Sequence, residues 1–284
     1  MTKLRARAAV GAASEPLYQR FLQTVVAAKL AIDTSDHTPV TDADLTHLPD
    51  VVRRYLEFMG VVGRPRDWSF RARFSGRFRR SPSAGWMPCD AWQYNAGPLP
   101  ARVFFMRARL WRVLPLVARD TYVRGDGRMV GKLLDLVTVV DGTGEQFDIG
   151  ELTTYLNDAV LFAPSFLLGP HTTWSEVDEG AFDVTLTDAG RSVTGRVFID
   201  DAGRPLDFST TDRFAAMPDG PVQARWTTPI ERWAVSHGRP HPATASAIWH
   251  FPEGPFCYIE GRFVDGGVAY NVPPNGLPGI AERT

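Results

Sequence analysis

The chain has 284 residues, 44% of them apolar, and a formal net charge of −1. That length suffices for one large β domain or two smaller ones with a buried core, and the composition is that of an ordinary globule. The balanced charge argues against nucleic acid or an anionic membrane as partner, and two cysteines without a CxxC exclude a cysteine-built zinc cluster.

From the amino terminus, the opening MTKLRARAAVGAAS is basic, but its apolar part is too short for a secretory signal. Ser14 is placed to cap a helix entered at Glu15-Pro16, with Leu17, Phe21, Val25, Ala28 and Ile32 on one face. A polar linker, DTSDHTP, follows. Pro49 opens a second helix that buries Val51, Val52, Tyr55, Leu56 and Met59 and stops at Gly60. Residues 1–66 therefore read as a helical segment. No run approaches the roughly 18 apolar residues of a membrane span, and the expectation is a soluble, cytoplasmic protein with Cys89 and Cys257 reduced.

After Arg66 the period changes to two. In WSFRARFSGRFRR the residues Trp68, Phe70, Ala72, Phe74, Gly76 and Phe78 alternate with Arg71, Arg73, Arg77 and Arg79, giving a half-buried strand with an arginine outer face. That stripe is either a solvated face or an anion-binding one. A hairpin is expected around Gly125-Asp126-Gly127. Further on, a meander should turn at Asp188-Ala189-Gly190 and Asp200–Gly203, and VQARWTT, IERWAVSHG and ATASAIWHF continue it. One helix, about 149–168, interrupts the strands, with Asp148 and Glu151 as a capping pair and Pro164 as its end. Residues 67–284 thus read as a mainly β domain, an antiparallel meander rolled into a barrel or half-barrel with helices packed against it.

The richest stretch is AIWHFPEGPFCYIEGRF, residues 247–263. With PEGP as a four-residue turn, Phe251 pairs with Phe256, Trp249 with Tyr258 and Ala247 with Glu260 on one face. His250, Cys257, Ile248 and Ile259 share the other; a bulge would invert part of this pattern. The aromatic face is either plain core or a cavity wall on which Tyr258 and Glu260 are the polar groups. His250 and Cys257 are either a nucleophilic pair or packed side chains.

Asp212 falls on the strand face of Leu206, Phe208, Thr210 and Phe214, where an acid needs a partner or a raised pKa. Asp120 and Tyr122 share a strand face beside the glycine turn. Trp226 and Trp233 are candidates for stacking a flat ligand. The six histidines show no HxH or HExxH spacing, RGDGRMVG lies between strands rather than before a helix, and GxSxG and Walker A patterns are absent. No metal and no cofactor are expected.

Taken in order, LPDVVRRYLEFMG, DTYVRGDGRMVGKLLDL, GEQFDIGELTTYLNDAVLFAPSFLL, TTW, DRF and AIWHFPEGPFCYIEGRF resemble a large bacterial family known only as a domain of unknown function, over roughly residues 48–272. The resemblance implies an antiparallel half-barrel similar to lipoprotein-carrier proteins, which bind acyl chains; it supplies no catalytic residues. The chain departs from the family at Asn157, where an acid is usual, and at Phe104–Met106, where a tryptophan-bearing strand is usual. Both changes point to a less charged, greasier interior.

Two functions are carried forward. The first is a cofactor-independent cyclase or isomerase that folds a hydrophobic, polyketide-like molecule by confinement. Its catalytic groups would be Asp212, Tyr258, Glu260 and Asp120, and its substrate wall Tyr122, Trp226, Trp249, Phe251 and Phe256. The alternative is a non-catalytic carrier or sensor of a lipid or other apolar ligand. Either takes a hydrophobic small molecule as partner, without nucleic acid or a membrane span; the oligomeric state is not legible.

Overall fold

The computed structural model describes residues 16–30, 37–111, 114–134, 136–217 and 220–277. Ser14 and Ile32, assigned above to the first helix, lie outside the described residues, as does the tail beyond 277. Among the described residues three helices come first, α1 (Pro16–Ala27), α2 (Asp42–Leu45) and α3 (Asp50–Phe58). Helix α3 buries Val51, Val52, Tyr55 and Leu56 as its spacing predicts, and Gly60 beyond its end takes a left-handed φ of 67°.

Strands β1 (Ser69–Phe78), β2 (Met87–Ala96), β3 (Ala101–Leu110), β4 (Leu114–Val123), β5 (Asp126–Leu133) and β6 (Val137–Thr143) form an antiparallel meander. Helix α4 (Glu145–Phe162) and a 3-10 turn (Pro164–Leu167) cross to the second half of the chain. That half contains β7 (Thr172–Asp178), β8 (Ala181–Asp188), β9 (Arg191–Ile199) and β10 (Pro205–Thr210). It continues with β11 (Phe214–Met217), β12 (Gly220–Gln223), β13 (Arg225–Thr227), β14 (Ile230–Ser236), β15 (Arg239–Phe251), β16 (Gly254–Phe263) and β17 (Ala269–Tyr270).

Pairing of β1 with β16 welds the two halves into one sheet in the order β6-β5-β4-β3-β2-β1-β16-β15-β13-β10-β9-β8-β7, with β14 added on β15 and β17 on β1. β6 and β7 end this sheet without pairing to each other, so the sheet is a half-barrel rather than a closed barrel. β11 and β12 form a separate hairpin. Helix α4 lies across the concave side, touching β3, β4, β5, β6, β9, β11 and β15.

The alternation in β1 is as read: Phe70, Ala72 and Phe74 are buried, while Arg77 is exposed. The convex side is only partly solvated. Helix α1 buries Leu17, Tyr18, Phe21, Leu22 and Val25 against Trp92, Tyr94, Val103 and Phe105 of β2 and β3. Those two strands are therefore covered on both faces, which is why β2 and β3 are buried along most of their length instead of at every second residue. The arginines beyond the helix have local partners. Arg77 and Arg79 stack on the Trp86 ring at 4.5 and 4.6 Å.

Three expectations about local structure are corrected. The β4–β5 turn is Arg124-Gly125, both at positive φ, and not Gly125–Gly127. Its two-residue geometry matches strand twist, as does the Ala189-Gly190 turn. Helix α4 begins at Glu145 behind Gly144, so Asp148 and Glu151 lie inside it and do not cap it.

The third correction concerns the aromatic hairpin. It turns tightly at Pro252-Glu253, so Phe251 faces Gly254 and Trp249 faces Phe256. A bulge follows: Ile248 opposes Cys257 and Ala247 opposes Ile259, leaving Tyr258 as the extra residue. Tyr258 stays with the aromatic face, Ile259 turns inward and Glu260 is expelled outward, where Arg77 grips its carboxylate at 2.5 and 2.8 Å.

Gly127, freed from the turn, lies in β5 directly beneath the start of α4. Its N–H donates to Asp148 Oδ1 at 2.7 Å, and a Cβ at this position would overlap the backbone of Phe147 and Asp148. Gly127→Ala is expected to lower stability by about 1–3 kcal/mol in denaturant unfolding. Gly150→Ala, on the same helix but with open space around it, should leave stability unchanged or raise it.

Candidate functional site

Between α4 and the concave sheet lies a chamber of about 280 Å³, walled by Phe74, Phe104, Phe162, Trp226, Ile259 and Phe263. A second chamber of about 380 Å³ continues from it, walled by Phe147, Phe214, Trp249, Phe251 and Phe256. Phe78, Met106, Ala118, Met129, Arg213 and Tyr258 border both and form the waist. The outer chamber reaches the surface at Val139 of the edge strand β6 and Met217 of the β11–β12 hairpin, 51% and 41% exposed. Walls of this kind suit an apolar ligand.

The floor is charged. Arg102 of β3 is 5% exposed and bridges two carboxylates of α4, Glu151 through Nη1 at 3.0 Å and Asp158 through Nε at 2.7 Å. Asn95 Nδ2 adds a bond to Asp158 at 3.3 Å. Burial alone would lower the pKa of the guanidinium; Asp158, Glu151 and Asp120 more than reverse this and hold it protonated. Burial pushes Glu151 up to about 8, with the charge of Asp120 adding to the effect and Arg102 and Arg213 opposing it. Burial also raises Asp158 and Asp120, in each case against the pull of nearby arginines. Asn157 completes the floor and accepts from Thr228 Oγ1 at 2.7 Å.

At the waist Arg213, 9% exposed, lies between two indoles, its Cζ 4.2 Å from the Trp226 ring and 5.5 Å from that of Trp249. Its Nη1 donates to the Tyr258 hydroxyl oxygen at 3.2 Å, and Trp226 Nε1 donates to the same oxygen at 3.2 Å. Asp120 faces the inner chamber, and its buried Oδ1 has no hydrogen-bond partner among the described residues.

The structure brings together six of the nine residues singled out from sequence. Asp120 and Trp226 line the inner chamber, Trp249, Phe251 and Phe256 the outer one, and Tyr258 both. Three lie elsewhere. Asp212 follows β10 in a bend, and its Oδ2 accepts from the Thr194 N–H at 2.7 Å. Leu206 and Phe208, expected to share its face, separate at a register shift near Pro205; Leu206 is 44% exposed and Phe208 fully buried. Glu260 points outward, for the bulge reason given above. Tyr122 is buried away from both chambers and donates to Asp188 Oδ2 at 2.6 Å. Trp233 is also remote, bonded to the Pro205 carbonyl and edge-on to Phe58. His250 is held by Arg225 and Thr227, while the Cys257 thiol points to the Ile259 carbonyl at 3.6 Å, so no nucleophilic pair forms. Cys89 and Cys257 are free thiols.

Arg102, Glu151, Asp158 and Arg213 were missed; they put charge in the interior beside the neutral Asn157. A signal was present for some. Arg102 alternates with Phe104 and Met106 on one strand face, and Glu151 and Asp158 are seven apart on a helix with no polar side. Charges placed on apolar faces must meet one another. Nothing local marked Arg213.

Arg102→Leu leaves two buried carboxylates without a counter-ion and is expected to cost about 3–5 kcal/mol in urea unfolding. Glu151 binds its proton more tightly in the folded chain, about 8 against an ordinary 4.5, so folding takes up a proton between those values. Stability on this account is fullest below pH 4.5 and falls as pH rises through 8. Melting temperatures of Glu151→Gln across that window should show a shallower decline than those of the native chain.

Three comparisons bear on this site. No curated protein matches the chain. Solved structures with a similar fold include a domain named for outer membrane lipoprotein sorting from Vibrio parahaemolyticus, at 12% identity over 76% of this chain and 88% of that one, with a TM-score of 0.42. A LolA superfamily protein from Nitrosomonas europaea is 11% identical over 76% and 90%, with a TM-score of 0.40. A DUF1329 family protein from Desulfovibrio piger is 12% identical over 83% and 95%, with a TM-score of 0.41. The cyclase or isomerase reading is corrected: two of the four nominated catalytic groups, Asp212 and Glu260, are bonded outside the cavity, Asp212 to the Thr194 N–H and Glu260 to Arg77. Residues 38–261 match one family model, and the chain belongs to that family, the family of unknown function DUF6544.

Proposed function

We propose that this chain is a non-catalytic carrier of an apolar small molecule, held between α4 and the half-barrel. The observation that carries this reading is the pair of joined chambers, about 280 and 380 Å³, walled by aromatic and methionine side chains and reaching the surface at Val139 and Met217. Such space beneath an otherwise close-packed helix loses dispersion contacts unless something fills it. Walls of Phe, Met and Trp contribute apolar area to a ligand at about 25 cal/mol per Å² buried. Helix α4 is tied down in its first turn and again at Asn157, which holds the space open. Asp148 accepts from Gly127 and from Arg191, and Asn157 bonds to Thr228.

Native mass spectrometry of freshly purified protein, followed by solvent extraction, tests the proposal. An apolar molecule of constant mass, recovered unchanged after incubation, is expected; a protein that is empty and binds no apolar dye would sink the reading. Ala118 borders both chambers, and Ala118→Phe should block the waist. Binding of the neutral dye Nile red should then fall by roughly tenfold or more, as several apolar contacts are lost, while the melting temperature stays within a few degrees.

A further inference from the structure

The cavity contains a set of polar groups that the protein itself leaves incompletely used. Arg102 has two carboxylate partners, Glu151 and Asp158. Arg213, by contrast, has no carboxylate within ion-pair distance among the described residues; its contacts are two indole faces and one hydroxyl oxygen. That hydroxyl, on Tyr258, accepts twice, from Arg213 and from Trp226, and its own proton has no acceptor among the described residues. Asp120 is the mirror case, a carboxylate whose buried Oδ1 lacks a donor. Asp120 and Arg213 border the same chamber and feel each other electrostatically, yet they form no hydrogen bond or ion pair. Buried polar groups of this kind are satisfied by something in nearly every protein.

Resting on the carrier reading, we infer that the waist is a headgroup site for an amphiphile whose polar end is uncharged and both accepts and donates hydrogen bonds, a hydroxyl or a carboxamide on a long apolar body. The acceptor of that end meets the Tyr258 hydroxyl proton and the Arg213 guanidinium; its donor meets Asp120. The apolar body then extends along the aromatic walls.

Charge decides against the two ionic alternatives. A carboxylate placed on Arg213 would sit near Asp120 and Asp158, which already feel that guanidinium; Glu151, pushed up to about 8, keeps its proton at pH 7 and adds no charge. An ammonium placed on Asp120 would sit beside Arg102, Arg119 and Arg213. In a site of low dielectric either arrangement brings strong like-charge repulsion. A neutral head meets both unmatched groups and leaves the charge balance untouched.

The test uses the full chain with Nile red bound, and competes the dye at pH 7 with four ligands of one chain length: 1-decanol, decanamide, decanoate and decylamine. Decanol and decanamide are expected to displace it at about tenfold lower concentration than the two ions, the worth of one good hydrogen bond to a charged group. Tyr258→Phe and, separately, Asp120→Leu should erase that preference, read as the ratio of displacing concentrations within each variant; Tyr258→Phe, which keeps the ring, decides where the leucine variant does not fold. Equal displacement by all four in the native chain would overturn the headgroup site and leave the carrier standing. Strongest displacement by decanoate or decylamine would overturn it in favour of a charged head. Failure of the native chain to bind Nile red would instead remove the carrier reading on which the site rests.

Discussion

One buried guanidinium sets the position of the helix around which the rest is arranged. Arg102 reaches from the inner face of β3 to Glu151 and Asp158, two turns apart on α4. Burying a guanidinium with two acids is expensive, and the cost is offset only if their geometry is held. The helix therefore has little freedom to slide or rotate. Asp148 fixes its first turn to β5 and β9, through Gly127 and Arg191, and Asn157 fixes its later part to Thr228 beyond β13. A helix with so little amphipathic contrast could not choose its own orientation by burial alone; polar contacts on several sides choose it.

The cavity follows from that constraint. A helix tied to β3, β5 and β9 meets β1 and β16 through Phe162 at its end, which packs on Phe70 and Phe263, while a gap stays open between its earlier turns and that side of the sheet. Large rings fill part of the gap and leave the two chambers between Phe74, Phe104 and Phe263 on one side and Trp249, Phe251 and Phe256 on the other. The bulge at Tyr258 matters as much as the helix. By adding one residue to β16 it lets Tyr258 and Ile259 both face inward and sends Glu260 out to Arg77. The polar groups at the waist are a tyrosine and an arginine between indoles, with Asp120 on the inner chamber beside them. That is a site with orientation but with few fixed charges of its own.

How much of this was legible depended on how far apart the deciding residues are. Alternation in β1, the apolar stripe of α3 and the aromatic face of the β15–β16 hairpin are written within ten or so residues, and each was readable. The inward face of Trp249, Phe251, Phe256 and Tyr258 was correct even though its register was not, because a tight turn and a bulge each shift pairing while the side-chain period of two survives on either side. Asp212 was misplaced because the register slips near Pro205 and the strand ends at Thr210, a change governed by pairing with β9. Glu260 failed for the same kind of reason. Arg102 and the α4 acids could have been flagged as charges on greasy faces, but their mutual pairing spans some fifty residues and no local pattern encodes it.

By itself, then, the sequence determined the local periods: which segments are strands, which are helices, and which sides of them are apolar. These rest on 3.6- and two-residue repeats and on turn residues, all of which act over a few positions. It also determined that the protein offers no residue pattern for the common metal, nucleotide or serine-nucleophile chemistries. Only the tertiary structure decided where the sheet stays open, how α4 is seated, and which polar groups are left facing the cavity. Those outcomes depend on β1 meeting β16 and on Arg102 meeting Glu151 and Asp158, contacts between residues far apart in the chain whose geometry exists only once the whole sheet has curved.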